Sequence, residues 1–128
     1  MRTELSLLVA SVALAFVQVL IVLLTALPQV GLPALLGNRE DVPALEGMAG
    51  RAQRAHRNML ESLVLFAALV FVAHAAGKFN ATTALGAQLF FWGRLAFAVI
   101  YLLGIPVART LAWLVSVVGM LLIFLQLI

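Results

Sequence analysis

The chain contains no cysteine and few charged residues, and each of these scarcities excludes a class of chemistry. Without cysteine, no disulfide can form and no protein thiolate can act as a nucleophile or metal ligand. Only 10% of the 128 residues are charged and 65% are hydrophobic, whereas soluble domains are about a quarter charged and about half apolar. We therefore expect an integral membrane protein.

Several patterns that mark common sites are also missing. The sequence has no clustered histidines or carboxylates for a metal, no Ser–His–acid set and no glycine-rich phosphate loop. The net charge of +3 is carried by cations next to or inside apolar segments, without a soluble basic face. We therefore predict neither a metal site nor a nucleic-acid partner.

Four apolar segments are long enough to cross a bilayer. The first, Leu5 to Leu27, is uncharged and exceeds the apolar core of about 7–15 residues in a cleaved signal peptide. Short second and third connections indicate an all-α, antiparallel four-helix bundle in a single domain, 1–128, with both termini on one side. The predicted helices are about 4–27, 45–76, 81–103 and 107–128, and the predicted long loop is 28–44.

Small and polar residues at seven-residue spacing mark helix contacts within these spans. Gly86 and Gly93 form a smooth strip for close helix packing. Three polar residues of the first span continue the row of Glu4, and we interpret them as helix-to-helix hydrogen bonding. They are Ser11, Gln18 and Thr25.

Basic residues are unevenly distributed between the two sides of the predicted bundle. The side of the first and third loops has four, against Arg2 and Lys78 on the other. The positive-inside rule therefore puts the long loop and the start of the second helix in the cytoplasm and both termini outside. We expect a multi-pass protein of a bacterial inner membrane. The four are Arg39, Arg51, Arg54 and Arg109.

The second span opens with a dense polar stretch that is costly to place in lipid. At about 100° per residue, four of its polar residues fall within an arc of roughly 80°, with Arg57 beside the arc and His56 on the opposite face. Such a face needs a partner surface or a ligand. The four are Arg51, Arg54, Asn58 and Glu61.

Polar residues of the third and fourth spans are predicted to lie at a similar depth in the membrane to those of the second span. Glu61 and Arg94 are predicted to pair or share a network, since an isolated charge in mid-membrane costs about 2.5–3.5 kcal/mol. Several cations against one carboxylate favour a zwitterionic ligand with more than one carboxylate; alternatively, the charges only fix helix packing. The predicted polar site comprises Arg54, Arg57, Asn58, Glu61, Arg94, Tyr101 and Arg109.

Three strings carry a family resemblance over essentially the whole chain. Arg54-Ala-His-Arg-Asn58-Met-Leu-Glu61 resembles the helix 2 signature of the MAPEG family, the membrane-associated proteins of eicosanoid and glutathione metabolism. Gly93-Arg94-Leu-Ala-Phe-Ala-Val-Ile-Tyr101 resembles the family's helix 3, and Pro106-Val-Ala-Arg109-Thr resembles the opening of its helix 4.

The resemblance implies a homotrimer that binds glutathione as a cosubstrate between neighbouring subunits. Arg109 would lie near the sulfur, where a guanidinium lowers a thiol's pKa and favours the nucleophilic thiolate. Thr110 stands where some members carry a serine that bonds the thiol. By position, the glutathione contacts would be Arg54, Asn58, Glu61 and Tyr101, with Arg57 as an additional contact.

Three functions remain open on the sequence. The leading hypothesis is a glutathione transferase or peroxidase acting on lipophilic electrophiles or lipid hydroperoxides from the bilayer. Because the family includes a non-enzymatic member, a non-catalytic lipid-binding or scaffolding trimer is the alternative. A small transporter with Glu61 as its proton site is disfavoured, since cations surround that carboxylate.

Overall fold

The regular structure of this computed structural model, which describes residues 2–37 and 44–128, is entirely helical. Four of its five helices are long and apolar enough to cross a membrane. The chain is therefore an all-α, multi-pass integral membrane protein, as the sequence predicts. The helices are α1 (Thr3–Val30), α2 (Leu32–Leu36), α3 (Gly47–Ala75), α4 (Ala81–Leu103) and α5 (Pro106–Leu127).

Local end signals fix the bounds of α4 and the start of α5. Asn80 and Thr83 form a reciprocal capping box, in which each side chain accepts a hydrogen bond from the other residue's backbone N–H. The helix ends at Gly104, whose φ of 76° suits glycine best. Pro106 then opens α5, where a missing N–H is tolerated. These bounds explain why α4 coincides with the predicted 81–103.

The predicted loop over 28–44 is partly wrong, because it contains helical residues. The first span continues through Pro28 to Val30, and α2 follows immediately. Pro28 lies in the last turn, and the helix ends at Gly31, whose N–H donates to the carbonyl of Leu27. Pro33 lies in the first turn of α2, where proline is tolerated. Arg39 lies outside the described residues.

The closest helix packing joins α4 to α5 through glycines. A Cβ added at Gly86 would lie 2.5 Å from the carbonyl oxygen of Gly119 and 2.8 Å from Cγ1 of Ile123. A Cβ at Gly93 would lie 2.9 Å from the backbone nitrogen of Ser116. The predicted glycine strip is therefore confirmed, and it fixes α5 against α4.

The polar row of α1 behaves differently from the prediction. The Ser11 hydroxyl donates to the carbonyl of Leu7 at 2.7 Å, and the Thr25 hydroxyl donates to that of Ile21 at 2.6 Å. Helix-to-helix bonding is therefore wrong for these two hydroxyls, because each satisfies itself on its own helix. Gln18 is buried, and its Oε1 has no hydrogen-bond partner.

Glu4 does bond across helices. Its carboxylate is buried and accepts a hydrogen bond of 2.6 Å from the hydroxyl of Thr83 on α4. We expect Thr83→Val to lower the free energy of unfolding by about 1–3 kcal/mol, because it leaves the buried Glu4 carboxylate without its donor and removes the hydroxyl that accepts from Asn80 in the capping box. Denaturant unfolding of the detergent-solubilised protein measures this. Equal stability of Thr83→Val and the neighbouring control Thr82→Val would contradict it.

Candidate functional site

A polar pocket lies where α3, α4 and α5 meet. Its volume is about 260 Å³. The turn at Gly104 reverses the chain between α4 and α5, and so brings Tyr101 and Arg109 to the same end of the bundle. The residues that line the pocket are Asn58, Phe97, Tyr101, Arg109, Thr110 and Trp113.

Two arginines converge on the Tyr101 side chain. Arg54 Nε donates a hydrogen bond of 3.2 Å to the phenol oxygen. The Arg109 guanidinium carbon lies 4.5 Å from the centre of the ring, within the range of a cation–π contact. Because the phenol oxygen accepts from Arg54, its own O–H remains a donor that a ligand anion can accept. Tyr101 thus joins α3, α4 and α5 at the pocket.

Asn58 supplies a different polar group to the same pocket. Its Oδ1 is buried and makes no hydrogen bond within the chain. A buried amide oxygen of this kind is an acceptor for an ammonium or an N–H of a ligand. The pocket therefore combines arginine donors with one amide acceptor.

Arg51 has a structural contact. Its Nε donates a hydrogen bond of 3.1 Å to the carbonyl of Leu102, in the last turn of α4. The last carbonyls of a helix have no partner within the helix, so this bond stabilises the C-terminal end of α4. It fixes the start of α3 beside the turn that carries Tyr101.

The predicted pairing of Arg94 with Glu61 is wrong within the chain. Arg94 is only 1% exposed, and none of its three guanidinium nitrogens has a hydrogen-bond partner. Its guanidinium carbon lies 4.3 Å from the centre of the Phe97 ring. Glu61 lies on an exposed face of α3. Similar depth did not produce a pair, because the two side chains occupy faces of opposite accessibility.

The other predicted residues are not all gathered at the pocket. Asn58, Tyr101, Arg109 and Thr110 line it, and Arg54 reaches it through Tyr101. Thr110 is engaged, since its hydroxyl donates to the carbonyl of Pro106 at 3.2 Å. Two further predicted residues, Arg57 and Glu61, are exposed on α3 and do not line the pocket. His56 lies in a separate apolar groove against α1.

Two aromatic residues of the pocket are outside the predicted ligand-binding set. Phe97 meets Tyr101 edge to face with ring centres 5.4 Å apart, and Trp113 lies one turn beyond Arg109. The signal for both was helical spacing, because residues four apart share a face. They add aromatic surface to the lining of the pocket.

The charged side chains at the pocket are positive. Arg109 lines it, Arg54 contacts its phenol, and none of the described residues that line it is a carboxylate. Two cations that meet at one phenol, with no carboxylate among the described lining residues, favour an anionic ligand. No group of three potential metal ligands occurs in the part of the chain that the structure describes.

The comparisons with known proteins agree with the sequence resemblance. A family model described as the MAPEG family matches residues 5–128. The chain matches no curated protein and no solved structure.

Proposed function

Because the chain belongs to the MAPEG family, we propose that it is a membrane-bound glutathione transferase or peroxidase. Its substrates are lipophilic electrophiles or lipid hydroperoxides that enter from the bilayer. Family membership supports a role in glutathione or eicosanoid metabolism in general. The particular activity is our proposal.

One observation carries the proposal: Tyr101 contacts both Arg54 and Arg109 at a pocket whose described lining residues include no carboxylate. Glutathione has two carboxylates, one ammonium and a thiol. Two arginines and a phenol suit the carboxylates and the thiolate, and the unpartnered Oδ1 of Asn58 suits an N–H donor of the tripeptide.

The remaining site residues act in an assembled homotrimer, in which glutathione lies between neighbouring subunits. Arg57 and Glu61 are exposed on α3, so both are accessible to a ligand held at a subunit interface. Glu61 would bind the ligand's ammonium, and Arg57 a carboxylate. Arg94, buried behind Phe97, would add positive potential without a direct contact.

Arg109 would supply the chemistry. A guanidinium next to the sulfur stabilises the thiolate, which is the nucleophilic form. The thiolate then displaces the leaving group from an electrophilic carbon. With a hydroperoxide it attacks the terminal oxygen, the O–O bond breaks and the alcohol leaves, and a second glutathione condenses with the resulting sulfenic acid to give the disulfide and water. The Thr110 hydroxyl would donate a hydrogen bond to the sulfur after releasing the carbonyl of Pro106. The pocket would open to the cytoplasm, with both termini outside.

Glutathione titration and a conjugation assay with a chromogenic aryl halide test the proposal together. We expect saturable glutathione binding and turnover that depends on enzyme concentration. Binding without turnover across several electrophiles and hydroperoxides would instead support a non-catalytic lipid-binding or scaffolding trimer. Absence of glutathione binding would contradict the proposed activity.

We expect Glu61→Gln to weaken glutathione binding about tenfold while kcat changes only a few-fold. The substitution removes the charge that would pair with the ammonium, and leaves Arg109 in place; a lost charge-assisted bond is worth about 1.5–3 kcal/mol. Isothermal titration and steady-state kinetics separate the two effects. Glu46→Gln is the control, because among the described residues Glu46 bonds through its backbone, to Gln29 and Gly50. Equal affinity of Glu61→Gln and the wild type would remove Glu61 from the site.

A further inference from the structure

A second cavity lies in the interior of the membrane-spanning region, between α1, α3 and α4. Its volume is about 130 Å³, and it shares no lining residue with the polar pocket. Apart from one glutamine, every residue that lines it is aliphatic. The lining residues are Leu14, Val17, Gln18, Ile21, Ala52, Ala55, Leu95, Ala98, Val99 and Leu102.

Gln18 is the polar exception in this lining. The side chain is 6% exposed, and its Oε1 is buried without a hydrogen-bond partner. Gln18 lies about 22 Å along α1 from Thr3 and about 18 Å from Val30, at 1.5 Å per residue. It is therefore near the middle of the span, where bulk water cannot satisfy the amide oxygen.

A buried water is a poor partner for this oxygen. Buried waters in proteins make about three hydrogen bonds, and a site with one polar side chain cannot provide them. A lipophilic molecule with a single donor matches the lining better, because its body fills the apolar walls while the donor meets Oε1. An apolar cavity of about 150 Å³ accommodates benzene, so a cavity of this size fits one six-membered ring or a short chain end.

The cavity also reaches the surface of the spanning region. Val17 and Val99 both line it, and each is 51% exposed. The cavity is therefore open between α1 and α4 on the surface of the single chain. On the other side, Ala55 packs with Phe97 and Ala112, which separates the cavity from the polar pocket.

We propose that this cavity is a second binding site, distinct from the glutathione pocket, for a small lipophile that carries one hydroxyl or N–H donor. The ring or chain end occupies the aliphatic walls, and the donor bonds Gln18 Oε1. Binding of the lipophile does not depend on Arg109 or on glutathione. An experiment that disproves this second site would therefore leave the proposed glutathione-dependent activity untouched, and the reverse also holds.

Two probes of nearly equal size test the donor requirement. para-Fluorophenol carries a hydroxyl where para-fluorotoluene carries a methyl group, and fluorine NMR reports the binding of each to the full-length protein in lipid nanodiscs. We expect saturable binding of the phenol, about tenfold tighter than that of the toluene, since one buried hydrogen bond separates them. Gln18→Leu should abolish this preference, so that both probes bind with similar affinity.

Two further variants control for folding and for location. Gln88→Leu alters another spanning glutamine, outside the cavity, and should keep the preference for the phenol. Ala98→Leu should fill the cavity and abolish saturable binding of both probes, while an unchanged size-exclusion profile and unchanged helical circular dichroism show that the protein is folded. Non-saturable binding to the wild type, or an undiminished preference for the phenol in Gln18→Leu, would overturn the proposal.

Discussion

Replacing Arg109 by alanine should lower the rate of glutathione conjugation by about 100-fold or more, while glutathione binding remains measurable. The guanidinium lies over the Tyr101 ring and lines the pocket, where it would stabilise the developing thiolate. Removal of one such electrostatic group from an active site typically reduces kcat by about 10²–10³. Binding survives because Arg54 and Asn58 would still hold the tripeptide. Steady-state kinetics and calorimetric titration measure the two quantities.

Two substitutions calibrate this result. Arg109→Lys retains a positive charge but loses the planar group over Tyr101, so its rate should fall between those of wild type and Arg109→Ala. Arg2→Ala removes a cation that lies over Phe79, far along the chain from the pocket, and should leave turnover unchanged. Wild-type turnover in Arg109→Ala would remove Arg109 from the mechanism.

Gly86→Leu should prevent normal packing of α4 against α5. Even a Cβ at Gly86 would meet the carbonyl oxygen of Gly119 at 2.5 Å, and backbone cannot rotate away as a flexible side chain can. An overpacked core typically lowers the free energy of unfolding by about 1–3 kcal/mol, and we expect a clash with backbone to lower it by about 3 kcal/mol or more. We expect loss of the folded protein or a large decrease in thermal stability, measured by size-exclusion chromatography and thermal denaturation in detergent.

Ala96→Leu is the matched control for this prediction. It creates the same side chain on the same helix at an exposed position, adding three carbon atoms where Gly86→Leu adds four, and should leave thermal stability nearly unchanged. Because α5 carries Arg109, any Gly86→Leu protein that folds should also lose activity. Wild-type stability of Gly86→Leu would contradict the close approach of the two helices.

The spans were predictable because their signals are local. Charge-free apolar length indicates a membrane helix, and Asn80, Gly104 and Pro106 mark ends through their own backbone preferences. The error over 28–44 has an equally local cause. Pro28 was interpreted as a stop, but it lies within the last turn of α1, and the helix ends at Gly31.

The candidate site was predictable only in part. The sequence places Tyr101 and Arg109 on either side of a tight turn, so their proximity follows from chain direction alone. The direction of Arg94 does not follow, because depth along a helix says nothing about which neighbour covers a side chain. Its contact with Phe97, and the exposure of Glu61, depend on how the helices are rotated against one another.

The most direct test of the account is whether the protein converts bound glutathione to its thiolate at neutral pH. Ultraviolet difference spectroscopy of the purified protein, titrated with glutathione and with S-methylglutathione as a control, measures this. We predict a saturable thiolate absorbance when the wild-type protein is titrated with glutathione, and none with S-methylglutathione. In Arg109→Ala this absorbance should be absent although glutathione still binds. Saturable glutathione binding without a thiolate signal, or an equal signal in Arg109→Ala, would contradict the assignment of Arg109.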